Sequence, residues 1–217
     1  LHETDFPRIR LSSLESWNLG EDFIRLWENP RMCPHLHLPL QSGSEAVLKK
    51  MARRTKLPDL LTLVQALRSI HPDFGITTDV IVGFPGETKD DFDLTLDFVK
   101  QAEFNAGHVF TFSARPGTAA ARMENNVVRQ VKKERSKVLR SLFEAQQQAF
   151  CQRMTGKTVH VLWETAHPQD TGGWMMKGLS ENYIPVQAES PENRYNQISP
   201  VTLIGFDGTR LTGEIAD

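Results

Sequence analysis

The chain has 217 residues, of which 39% are hydrophobic and 24% charged, with a formal net charge of −2. That balance belongs to a globular protein able to bury a real core in one large or two smaller domains. No run of 18 or more apolar residues occurs and no targeting pattern opens the sequence, so a helical membrane span is excluded and a cytoplasmic location is expected; the two cysteines, Cys33 and Cys151, are too few for a disulfide framework or a metal site of their own.

In chain order, strand-like runs alternate with helical patterns up to residue 155. The runs are Arg8 to Ser13 ("RIRLSS"), His35 to Leu40 ("HLHLPL"), Ile76 to Phe84 ("ITTDVIVGF") and Gly107 to Ser113 ("GHVFTFS"). Each is followed by enough chain for a returning helix, which predicts parallel βα units. Leu60, Leu63, Val64 and Leu67 mark one face of a helix with Pro58 in its first turn, and Phe92, Leu96 and Val99 mark the next. Val131, Val138, Leu139, Leu142, Gln146, Ala149 and Phe150 keep helical spacing over about 25 residues. Four such units cannot close a barrel, and the sequence opens at Leu1 within the approach to a strand, so the chain is expected to lack upstream units. Beyond Thr155-Gly156 the texture changes to short β-rich runs, "KTVHVLWE", "NYIPVQA", "PVTLIGF" and "RLTGEIA", separated by turn residues. These predict a small antiparallel barrel, so the expected domains are 1-155 and 156-217.

Charge divides along the same line. Residues 1-155 carry 21 Lys and Arg against 19 Asp and Glu, whereas residues 156-217 carry 4 against 8. The locally basic stretches are "KKMARRTK" and "VVRQVKKERSKVLR" (Val127 to Arg140).

In a parallel α/β domain the ligand face lies at the C-terminal strand ends. The polar groups there are Ser12-Ser13, Gln41-Ser42-Gly43-Ser44, Asp79 with the "GFPGET" turn, and Ser113-Ala114-Arg115. Gln41 is a neutral amide with donors and acceptors, suited to recognition. Ser42 and Glu45 have capping-box spacing, which predicts a helix cap at Ser42. Asp79 lies in an apolar run expected to be buried on both faces, so its carboxylate needs a cation, several donors or a ligand hydroxyl. Arg115 offers a planar fork for a carboxylate or phosphate, or for a structural salt bridge. His35 and His37 share a strand face and are read as structural.

Together, "RIRLSSLE", "HLHLPLQSGSEAVLKKMARRT", "TTDVIVGFPGET" and "FSARPGTAAARM", in this order and followed by a small β domain, resemble the radical S-adenosylmethionine tRNA methylthiotransferases. The branch most resembled acts on threonylcarbamoyl-adenosine beside the anticodon. The resemblance implies the C-terminal part of a radical SAM α/β barrel, incomplete, followed by an OB-like TRAM domain that binds RNA. It implies S-adenosylmethionine and two 4Fe-4S clusters as cofactors, with the cluster ligands absent from this chain, which would leave it inactive alone. The partners implied are tRNA, S-adenosylmethionine and an electron donor, and no membrane. Gln41, Arg53 and Asp79 match family positions that contact S-adenosylmethionine, and Ser13, Ser42 and Arg115 join them as strand-end candidates. One straight helix over residues 42-53 would carry Arg53 roughly 16 Å from Gln41. Sharing a ligand therefore requires that helix to cross the barrel mouth or to break near Ala52. Trp163, Trp174, Tyr183 and Tyr195 are available for stacking on bases in the acidic second domain, although at least half of them are expected in its core, and the basic helical stretches are the alternative bearers of phosphate contact. Two other functions remain open, an RNA-binding module without chemistry and a coproporphyrinogen oxidase-like radical enzyme.

Overall fold

The structure is a computed structural model and describes residues 3-17, 19-124 and 127-216. Its first unit is a three-stranded parallel sheet in the order β1 (His35–His37), β2 (Gly75–Val82), β3 (Ala106–Thr111). The helices are α1 (Glu21–Ile24), α2 (Glu45–Lys50), α3 (Leu57–Ile70), α4 (Lys89–Ala102) and α5 (Arg129–Met154). α3 carries Pro58 in its first turn and buries Leu57, Leu60, Leu63, Val64 and Leu67. A full capping box starts α4: Thr88 accepts from the Asp91 backbone while Asp91 accepts from Thr88.

Three expectations are corrected. Residues 8-13 form no strand; Ile9 makes one parallel bridge to Met32, and the Arg8 guanidinium bonds Leu179 O (3.3 Å) and Ser180 O (2.9 Å) in the second unit. Only one face of β2 is fully buried: Ile76, Thr78, Val80 and Val82 are covered, whereas Thr77, Asp79 and Ile81 on the other face are half-open. Three strands do not close, so one side of the pleat is left without a covering layer. In α5, Val138 and Ala149 are exposed, and the buried side runs through Arg135, Ser136, Leu139, Phe143 and Phe150. Gly107 sets that orientation, because a Cβ there would lie 2.2 Å from the Phe143 ring, so only glycine lets α5 press this close to β3.

The second unit is a closed five-stranded barrel of β4 (Thr158–Pro168), β5 (Trp174–Ser180), β6 (Pro185–Ser190), β7 (Ile198–Phe206) and β8 (Leu211–Ile215), in the order β4-β5-β6-β8-β7. It is mixed rather than wholly antiparallel, since β6 and β8 pair in parallel. Its core takes Phe150, Cys151 and Met154 from the end of α5 and is centred on Trp163, whose indole N–H donates to Ser199 Oγ (3.1 Å). Burial pushes the Cys151 thiol up to about 11. As expected for at least half of the four aromatics, most are structural: Trp163 is core, Trp174 is partly buried against the core, and Tyr183 packs on His35, with Tyr195 exposed.

The β5-β6 turn joins the two units. Asn182 Nδ2 donates to Asp73 O (3.1 Å), Lys157 pairs with Asp73 (2.6 Å), and a Cβ on Gly75 would lie 2.3 Å from Asn182 O. Tyr183 (φ 69°) sits between Arg10, 4.0 Å above its ring, and His35, 4.5 Å between centroids.

Candidate functional site

Gln41 owes its position to a repaired break in the sheet. Beyond Leu38, whose N–H bonds Thr77 O (2.9 Å), the ladder slips by one residue at Pro39-Leu40. The Thr78 hydroxyl fills the gap by donating to Leu38 O (2.7 Å) and accepting from Leu40 N–H (3.0 Å). Pairing then resumes, with Gln41 N–H on Asp79 O (2.8 Å) and Ile81 N–H on Gln41 O (2.9 Å). Pinned on both sides, Gln41 holds φ at 65°, a left-handed conformation that costs a non-glycine residue about 1 kcal/mol or more.

The helix that follows is capped by Ser44, whose Oγ accepts from Val47 N–H (3.3 Å), and not by Ser42. α2 begins two residues later than the capping-box spacing implied, because Gly43 packs flush against α4, where a Cβ would lie 2.6 Å from Thr95 Cα. Ser42 is buried there, accepting from Ser44 N–H (3.1 Å). After only six residues α2 stops; Ala52 adopts φ 55° and Arg53 N–H reaches back to Leu48 O (2.9 Å). This left-handed reversal is the break that sequence geometry required, and it turns Arg53 towards Gln41.

Gln41, Arg53 and Arg115 line one cavity of about 700 Å³ at the C-terminal strand ends. Its charged lining residues are Lys50, Arg53 and Arg115, with no carboxylate, and its apolar wall includes Ile81, Phe84, Phe110 and Phe112. Phe84 and Phe112 meet edge to face at 5.1 Å. Arg53 already pairs with Glu15 (2.6 Å), whose other oxygen is buried without a partner among the described residues. Lys50 donates to Gly86 O (2.8 Å), while exposed Arg115 stands at the rim.

Asp79 and Ser13 lie in an adjacent cavity of about 520 Å³ with His35, His37 and His108, and Ser42 lines neither. Asp79 Oδ2 is 3.2 Å from His37 Nε2, so its counter-group is a protein side chain. His37 Nδ1 and His35 Nε2 both lie 3.1 Å from Thr77 Oγ1, whose single hydrogen can be given to only one of them. Burial, then the charges of Arg10 and His37, hold His35 down to about 3, so it is neutral. Phe110 borders both cavities. Asp79 and Ile81, alternate residues about 7 Å apart on one strand face, each line one of the two cavities.

The "GFPGET" turn approaches lysine side chains: a Cβ on Gly83 would lie 2.4 Å from Lys132 and one on Gly86 2.8 Å from Lys50. Glu87 braces the turn, accepting from Gly83 N–H (3.0 Å) and forming a buried ion pair with Arg135 of α5. Burial pushes its carboxyl up, opposed by the Gly83 N–H and the Arg135 guanidinium. No spacing linked Glu87 to Arg135 in the sequence; the alternation of His108, Phe110 and Phe112 is the one signal for the aromatic wall. Among the described residues, no group of three or more His, Cys, Asp or Glu is placed to hold a metal ion.

The profile of the Radical SAM superfamily matches residues 5-99. Threonylcarbamoyladenosine tRNA methylthiotransferase MtaB of Thermotoga maritima is 45% identical over 81% of the chain and 39% of its own length. The tRNA-2-methylthio-N(6)-dimethylallyladenosine synthase of Maricaulis maris is 36% identical over 96% of the chain and 45% of its own length. MtaB of Bacillus subtilis is 34% identical over 91% and 44%. The chain thus spans less than half the length of these relatives. Among solved structures, coproporphyrinogen III oxidase of Escherichia coli superposes with a TM-score of 0.55 at 15% identity over 80% of this chain and 46% of that one, a likeness of fold.

Proposed function

We propose, for a chain that belongs to the radical S-adenosylmethionine tRNA methylthiotransferase family, that it forms the part of such an enzyme that holds S-adenosylmethionine, and that the base modified is threonylcarbamoyl-adenosine. The carrying observation is the 45% identity with the Thermotoga maritima MtaB across 81% of the chain. The cavity's chemistry supports the cofactor assignment. Lys50 and Arg115, with Arg53 once it exchanges its Glu15 partner, suit the carboxyl group of the methionine moiety, the Gln41 amide suits a polar edge, and the Phe84, Phe110 and Phe112 rings suit a planar base. Gln41, Arg53 and Arg115 would hold the ligand, and Asp79 and Ser13, in the adjoining cavity, would meet whatever part of it extends past Phe110. When bound, S-adenosylmethionine supplies the radical chemistry of the family. This chain's residues bind it, orient it and exclude water; no iron ligand is assigned among them.

The substrate is tested in the host organism. Nucleoside mass spectrometry of tRNA from a strain lacking the gene is expected to show threonylcarbamoyl-adenosine without its methylthio group. Loss of methylthio from a different adenosine would overturn the choice of base.

A further inference from the structure

Within the reading that tRNA is the substrate, the closed barrel is the less suitable surface for its phosphates, with 4 basic against 8 acidic residues in 156-217. An uninterrupted row of exposed cations lies instead on α5. Arg129, Lys133 and Lys137 follow one another at four-residue spacing, all exposed, with no acidic partner among the described residues. Residues four apart rise about 6 Å along a helix and stay on one face, so the three form a straight row.

Solvated helix faces ordinarily interleave both signs, and like charges four apart repel and weaken a helix. Glu134, though three residues from Lys137, is held by Gln130 Nε2 (2.7 Å) rather than by a cation of the row, and Glu144 comes after the row ends. Arg140 prolongs the same face while bonding Val109 O (3.0 Å). At the other side Lys132 lies over the Phe112 ring (5.3 Å), a wall of the cationic cavity, so the helix that bears the row passes beside that cavity. A polyanion neutralises the repulsion that α5 otherwise carries.

We infer that the Arg129, Lys133 and Lys137 face of α5 is the docking surface for the phosphate backbone of the RNA strand, which it leads towards the cationic cavity. Backbone contacts of this kind position the nucleic acid without reading sequence, and each releases counterions on binding.

The full chain is titrated with an unmodified tRNA transcript between about 50 and 200 mM salt. Replacing all three (Arg129→Gln, Lys133→Gln, Lys137→Gln) is expected to reduce the slope of log affinity against log salt by about 2 to 3. Lys177→Gln with Arg210→Gln on the barrel should leave the slope unchanged, and Lys133→Arg with Lys137→Arg should preserve it. If circular dichroism shows the triple variant to have lost helix, Lys133→Gln and Lys137→Gln singly should each remove about 0.7 to 0.9 of slope. An unchanged slope in folded α5 variants while the parent chain binds would overturn this surface and leave the methylthiotransferase reading standing. No salt-dependent binding by the parent chain would overturn both.

Discussion

The two units treat their sheets in opposite ways. In the barrel every strand has two partners, the interior is filled around Trp163, and polar groups such as Ser199 and Ser180 are satisfied inside it. The three-stranded sheet is covered on one face and open on the other, and the open face carries Gln41, Asp79, His37, Phe110 and the two cavities. A closed sheet spends its side chains on its own interior, whereas an open one leaves groups pointing at space that a ligand can fill. Charge follows the same division, cations at the open end and an acidic excess on the closed barrel.

If this contrast is right, the barrel fails through packing and the open unit through its few buried charges. Trp163→Ala should cost the most, about 4 kcal/mol, through a large cavity and an orphaned Ser199 hydroxyl. Denaturant unfolding followed at the barrel's aromatic signal measures it, and a loss under 1 kcal/mol would show the barrel to be loosely packed. Arg135→Met should cost about 3 kcal/mol by leaving Glu87 buried without its partner, and adding Glu87→Gln should recover part of that. A smaller, graded effect is expected with pH. His35 is neutral in the fold down to about 3 but takes a proton near 6.5 when unfolded. Its contribution is therefore intact above pH 6.5 and is lost progressively as pH falls towards 3, by at most about 1.4 kcal/mol per unit. His35→Gln should flatten that part of a stability-pH curve. Lys157→Ala, removing the exposed pair with Asp73 between the units, should change stability by less than about 1 kcal/mol in thermal unfolding.

Much of the fold is legible in the sequence because it rests on local periodicity. The strands at 35, 75 and 106 and the helices carrying Leu60 to Leu67 and Phe92 to Val99 follow directly from alternation and helical spacing. β5 is hidden, since "WMMKGLS" has little alternation and Gly178 resembles a turn residue; a Cβ there would lie 2.0 Å from Leu162 O, so the glycine belongs to the strand. The site is legible in part. The left-handed reversal at Ala52 follows from asking how Arg53 could reach Gln41, whereas the placement of Asp79 against His37 depends on neighbouring strands and has no local mark. The cap at Ser44 depends on how closely Gly43 can approach α4, a tertiary contact that the Ser42-Glu45 spacing does not encode.

Phe110, half-exposed on the open face, forms part of the wall of both cavities. Their volumes are therefore not independent quantities. A molecule that fills the space beside Gln41 and one that fills the space beside Asp79 would both rest on the same aromatic ring.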